Sequence, residues 1–131
     1  MKTYPFLLSI SLLLVGASFS CKNDESNELT PNSNSIELCG VKNPVKNLTW
    51  LSTEIQKFGT GESSQRLNGV VLYEYKGANV VEVQCGLCSS TNIHQYKCDG
   101  TLYDFTDPNI FQDYIKNRKK IELIFGTEIW K

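Results

Sequence analysis

The sequence is poor in histidine, with one in 131 residues, and it has almost no charge imbalance, with a formal net charge of -1. The single histidine means that any imidazole-based nucleophile–base pair, or any histidine-ligated zinc, must use His94. No Gly-x-Ser-x-Gly elbow surrounds any serine. Phe58-Gly59-Thr60-Gly61-Glu62 has two glycines but lacks the Lys-Ser/Thr and the preceding strand of a phosphate loop, and it reads as an ordinary loop. The charge balance gives no electrostatic footprint for nucleic acid. Lys116, Arg118, Lys119 and Lys120 cluster, but they read as the solvated last turn of a helix, favoured by the macrodipole. Glu74 and Glu82 stand at alternating strand positions and read as a solvent face. No apolar run reaches the roughly 20 residues that cross a membrane as a helix. No internal repeat is present.

What is there begins at the first residues. Met1-Lys2-Thr3-Tyr4 carries one positive charge, and an apolar stretch follows over residues 5–17. Small residues, Ser18 and Ser20, stand directly before Cys21. A charged start, a short apolar core and small residues before a cut describe a secretory signal over residues 1–20. Ala17-Ser18-Phe19-Ser20-Cys21 resembles the lipobox of a bacterial lipoprotein, departing from it by Ser18 where leucine is commonest and by the bulky Phe19. The resemblance implies acylation of Cys21. Cysteine parity agrees: the chain has five, an exported protein with an odd number carries a leftover thiol, and acylating Cys21 leaves an even four. Lys22-Asn23-Asp24-Glu25 resembles the surface-export signal of Bacteroidota-type lipoproteins. Several acyl chains on one cysteine, at about 0.8 kcal/mol per buried CH₂, make a stable anchor.

Residues 22–35 are rich in Asn, Ser, Asp and Glu and have little to bury, so residues 21–35 are expected to be a lipidated cysteine and a disordered polar tether. The folded part is then residues 36–131, one small domain. Asn43-Pro44 reads as a helix start, and Val45, Leu48, Leu51, Ile55 and Phe58 form one helical stripe. Residues 69–75 (GVVLYEY) and 80–84 (VVEVQ) flank a glycine-containing loop and read as a hairpin. Residues 93–97 and 101–105 flank Cys98-Asp99-Gly100, a strong turn signal. Asp107-Pro108 caps a second short helix carrying Ile110, Phe111, Tyr114 and Ile115, and residues 121–125 (IELIF) form a closing strand. The order α-β-β-β-β-α-β predicts an α+β fold: one mostly antiparallel sheet of four to five strands with two helices packed on one face.

Cys39-Gly40-Val41-Lys42-Asn43-Pro44 and Leu48-Thr49-Trp50-Leu51 resemble the opening of a family of small uncharacterised Bacteroidota lipoproteins. Tyr75-Lys76-Gly77, Cys98-Asp99-Gly100 and Lys120-Ile121-Glu122-Leu123 follow in the same order. The sequence departs from some of these relatives by lacking a second Cys- and Gly-rich insert. The resemblance implies the lipoprotein class and no activity.

Four cysteines remain, and exported chains meet oxidising surroundings. They allow three pairings. If strands 80–85 and 93–98 are antiparallel neighbours, Cys85 lies opposite Ile93 and Cys98 opposite Val80. Cys85 and Cys98 then stand about 17 Å apart at ~3.3 Å per residue, Cys88, in the loop at the far end, is no closer to Cys98, and a disulfide needs Cα atoms within about 7 Å. Cys39–Cys98 with Cys85–Cys88 is therefore the favoured pairing. The spacing Cys85-x₂-Cys88-x₅-His94-x₃-Cys98 misses a zinc knuckle by one residue on each side of His94 and strands Cys39, so no metal is expected. No cofactor is implied. Tyr73, Tyr75, Tyr96 and Tyr103 are candidate contacts if they lie on an exposed face, and cross-strand packing residues otherwise. The expectation is a non-enzymatic binding module for a protein or glycan ligand. It would be held by lipid at the outer membrane, with cell-surface exposure, or secreted or periplasmic if Cys21 is not acylated. The competing readings are a thiol-redox protein using Cys85 and Cys88, and an inhibitor of an envelope enzyme that presents the loop over residues 86–92.

Overall fold

The computed structural model describes residues 31–32, 36–59 and 61–131. The expected signal, Cys21 and nearly all of the tether lie outside the described residues. The elements run β1 (Glu37–Leu38), β2 (Val41–Lys42), α1 (Pro44–Asn47), α2 (Thr49–Gln56), α3 (Glu62–Leu67), β3 (Asn68–Tyr75), β4 (Ala78–Cys85), β5 (Gln95–Tyr96), α4 (Pro108–Asn117) and β6 (Lys119–Gly126). Together they make an α+β fold. No helix among the described residues is long and apolar enough to cross a membrane.

The main sheet has four antiparallel strands in the order β5-β4-β3-β6. Its centre is the β3–β4 hairpin. Lys76 and Gly77 both take positive φ, 51° and 78°, and Tyr75 pairs with Ala78. That is the two-residue turn whose twist matches the flanking strands. At the other end of β3, Gly69 pairs with Gly126 of β6. A Cβ on Gly69 would lie 2.0 Å from the Thr127 carbonyl oxygen, and one on Gly126 would lie 2.1 Å from that of Asn68. Only glycine lets the chain cross there.

Alternation along β3 and β4 sends side chains to two faces. Val70, Leu72, Val81 and Val83 pack with Val45 of α1 and with Leu51 and Ile55 of α2. Val71, Tyr73, Tyr75 and Val80 pack with Tyr114 of α4 and with Phe105. The helices therefore lie on both faces of the sheet, not on one as expected. Each face carries apolar side chains that a single layer could not cover.

Four local readings change as well. The expected helix over 43–58 is two helices. Asn43 sits in left-handed backbone at φ 51° and its side chain makes no cap bond, and Leu48 is extended at φ -95°, ψ 102°. A helix cap needs extended backbone at the capping residue, so the first turn closes separately. The break leaves Trp50 over the Cys98-Asp99-Gly100 turn, its Nε1–H donating to the Cys98 carbonyl at 3.1 Å. A short hairpin, β1–β2, and the helix α3 were not foreseen. The expected strand over 101–105 is a single bridge between Tyr96 and Leu102. Asp99 Oδ1 accepts from Thr101 N at 2.9 Å, and Asp104 Oδ1 accepts from Thr106 N at 3.2 Å. Side-chain turns at each end of that run compete with the ladder. Finally, β4 and β5 pair Val81 with Tyr96, one residue off the expected register.

Candidate functional site

The alternation that places Val80 on the α4 face also places Glu82 and Gln84 there. Glu82 is 0% exposed and Gln84 is 0% exposed, which corrects the reading of Glu82 as a solvent residue; Glu74 is exposed. The reason is Arg118, just past α4, whose side chain is 8% exposed. Its Nη1 donates to both Glu82 oxygens, at 2.7 and 2.6 Å. The basic cluster is thus divided: Lys116, Lys119 and Lys120 are exposed, and Arg118 is turned inward.

Three further donors complete the carboxylate. Glu82 accepts from Gln84 Nε2 at 2.8 Å, from Gln95 Nε2 at 3.0 Å and from the Tyr114 hydroxyl at 2.9 Å. A buried ion pair is tolerated only when such bonds satisfy the remaining lone pairs. Arg118 also lies over two aromatic rings, 4.3 Å from the Tyr73 centroid and 5.4 Å from that of Tyr114, and such contacts favour the guanidinium. Burial opposes the Arg118 charge most strongly, but the Glu82 carboxylate together with the Tyr114 and Tyr73 hydroxyls outweighs it, and the guanidinium holds its proton more firmly than usual. Burial pushes the Tyr114 and Tyr73 hydroxyls well above the usual phenol range, so both remain protonated donors. A carboxylate closed by five hydrogen bonds and shut from water is an anchor. It presents no base to a substrate.

The cluster holds one further piece of chain. After Gly126 the backbone leaves the ladder and crosses the α4 face. Gln84 Oε1 accepts from both Ile129 N, at 2.6 Å, and Trp130 N, at 3.1 Å. Arg118 Nη2 donates to the Trp130 carbonyl at 3.0 Å. The Trp130 ring stands against His94, with centroids 5.5 Å apart. Glu128 accepts from the Tyr73 hydroxyl at 3.2 Å and pairs with Lys120. Burial lowers the His94 pKa, which favours the neutral ring beside Trp130.

Cys39 is bonded to Cys98, with Cα atoms 5.6 Å apart, and Cys85 to Cys88, at 5.3 Å. The first ties the segment before α1 to the turn under Trp50. The second clips the chain as it leaves β4. Cys85 is buried, and the residues after Cys88 form bends and turns, with no helix starting there. The low thiol pKa of redox C-x-x-C pairs depends on a helix N-terminus. Between the two cysteines Leu87 is 82% exposed. No group of three or more His, Cys, Asp or Glu side chains among the described residues could hold a metal ion.

The four tyrosines do not form an exposed array. Tyr73 and Tyr75 are buried and meet Tyr114 edge-on. Tyr96 stacks on Trp50 at 5.4 Å and donates to Glu54 at 3.1 Å; burial and Glu54 push its hydroxyl up to about 12. Tyr103 stacks on Phe105 at 5.4 Å. His94 is half-buried. The buried Glu82–Arg118 pair, which the sequence reading missed, had one local signal: Glu82 and Gln84 share the parity of Val80. No protein-family profile matches the chain, and no curated protein or solved structure does.

Proposed function

We propose that the chain is an exported lipoprotein, anchored through acylated Cys21 at the outer membrane, whose folded residues are a non-enzymatic binding module. The observation that carries this reading is cysteine use. Of five cysteines, four are taken by Cys39–Cys98 and Cys85–Cys88, and the remaining one is Cys21, directly behind Ala17-Ser18-Phe19-Ser20. Disulfides persist in oxidising compartments, which fits export. The anchor places the domain at a membrane, and membership of the Bacteroidota lipoprotein group is part of the same proposal. The binding role is supported by the closed state of the buried carboxylate and by the half-exposed surface over residues 127–131. An envelope-enzyme inhibitor is the second reading. It is favoured by Leu87, 82% exposed at the tip of a disulfide-clipped loop. A thiol-redox role has less support, because Cys85 is buried.

Labelling cells with a palmitate analogue tests the anchor. The wild-type chain should take up label and sediment with membranes, and Cys21→Ser should do neither. Label retained by Cys21→Ser would refute acylation at that residue.

A further inference from the structure

We infer that the α4 face of the sheet is a cleft that reads the main chain of a peptide, and that residues 127–131 occupy it in cis. The inference deepens the reading as a binding module and does not depend on the lipid anchor.

The closing segment is held as a peptide ligand is held. Past Gly126 the one backbone–backbone bond fixing it among the described residues is Thr127 N to the Asn68 carbonyl, at 3.0 Å. Beyond that, side chains of the body grip its main chain. Gln84 Oε1 takes two successive N–H groups, and Arg118 Nη2 takes the carbonyl of Trp130. One acceptor for two successive N–H groups and one donor for a C=O, fixed in a buried network, match groups that a bent peptide main chain presents. Glu128, Ile129 and Trp130 are only half-buried, so the segment lies on the body and outside its core.

The grip is preformed. Glu82 accepts from Gln84, Gln95, Tyr114 and Arg118, none of which belongs to the segment. Those contacts fix Gln84 and Arg118 with the segment in place or removed. Its departure would free the Gln84 oxygen and an Arg118 N–H at the cleft, an acceptor and a donor that another peptide main chain can take. The ligand class is a peptide with a branched apolar residue followed by an aromatic one, the aromatic ring seated against His94 as Trp130 is. Gly126, at φ 68°, is the hinge at which the segment leaves β6.

The test uses the full chain, its variant Ile129→Gly with Trp130→Gly, and the labelled peptide Thr-Glu-Ile-Trp-Lys. The variant, folded by near-ultraviolet circular dichroism, should bind the peptide at least about tenfold more tightly than the wild-type chain, in which the cleft is filled. Adding Gln84→Met to the variant should abolish that binding. A folded variant that does not bind would overturn the inference. Should the variant fail to fold, hydrogen exchange of the wild-type chain decides. Ile129 and Trp130 amides exchanging far faster than those of Val71 and Val81 support a separable segment, and exchange only through global unfolding refutes it. A dimer of the wild-type chain that disappears in the variant would assign the cleft to a second copy and overturn the reading of an external peptide.

Discussion

The two faces of the sheet are built from the same two strands and hold their helices by opposite means. On one face Val70, Leu72, Val81 and Val83 meet Leu51 and Ile55, and the buried contacts are apolar, with the Tyr96–Glu54 and Trp50–Cys98 hydrogen bonds at their margin. On the other, Val71, Tyr73, Tyr75 and Val80 also pack with Tyr114 and Phe105, but Glu82 and Gln84 interrupt them and add one buried ion pair with its donors. The apolar face is non-directional: many sequences of similar volume would fill it. The polar face is directional, because Glu82, Gln84, Gln95, Tyr114 and Arg118 satisfy one another in one arrangement only. Polar networks of this kind lend specificity more than stability, since the desolvation of the charges offsets much of their attraction. The specified feature here is the path of α4 and of residues 127–131, the latter leaving β6 where Gly69 and Gly126 meet.

The largest expected effect separates the faces directly. Arg118→Met leaves the Glu82 charge buried without its partner, and urea unfolding should show a loss of about 3–5 kcal/mol. Adding Glu82→Gln removes that charge and should recover much of the loss. On the apolar face Leu51→Ala should lose about 3 kcal/mol through a cavity, and no second polar substitution should restore it. Equal behaviour of the two faces under such repair would erase the distinction.

The disulfides extend the comparison, since Cys39–Cys98 braces the apolar face and Cys85–Cys88 lies at the end of β4. The first spans a sequence separation of 59 and the second a separation of 3. On loop-closure entropy alone, replacing the first pair by serines should cost about 4 kcal/mol and replacing the second roughly 2 kcal/mol. Thermal unfolding of the two double variants gives the order, and a reversed order would mean that the short clip stabilises through native contacts.

The smallest effect is a pH dependence on the polar face. Burial lowers the His94 pKa below the ordinary 6.5. The unfolded chain then binds the proton more readily than the folded one, so His94 leaves stability untouched above pH 6.5 and reduces it as pH falls from there through the lowered value. His94→Gln should flatten that acid-side decline in urea midpoints measured between pH 7.5 and 5. An unchanged slope would assign the decline to other groups.

Much of the fold was legible in the sequence because its signals are local. The β3–β4 hairpin is announced by dense β-formers around Lys76-Gly77. The second long helix is announced by Asp107-Pro108, where Asp107 does accept from Asn109 N at 2.8 Å. The expected cysteine pairing rested on strand separation, which a one-residue error in register does not disturb. The polar face was not legible, because it depends on partners distant in sequence. Arg118 lies 36 residues beyond Glu82, and in isolation each looks like an ordinary charged surface residue. The expectation that both helices share one face failed for the same reason: alternation shows that a strand has two faces and leaves open what covers each. The break at Leu48 escaped notice because the apolar stripe continues through it.

The most direct test of the account is the intact mass of the chain purified from its native membrane, measured after thiol alkylation with and without prior reduction. An acyl adduct on Cys21, no alkylated cysteine before reduction and four after it is the predicted result. Two thiols open to alkylation at Cys85 and Cys88 before reduction, or a Cys21 that carries no lipid, would contradict it.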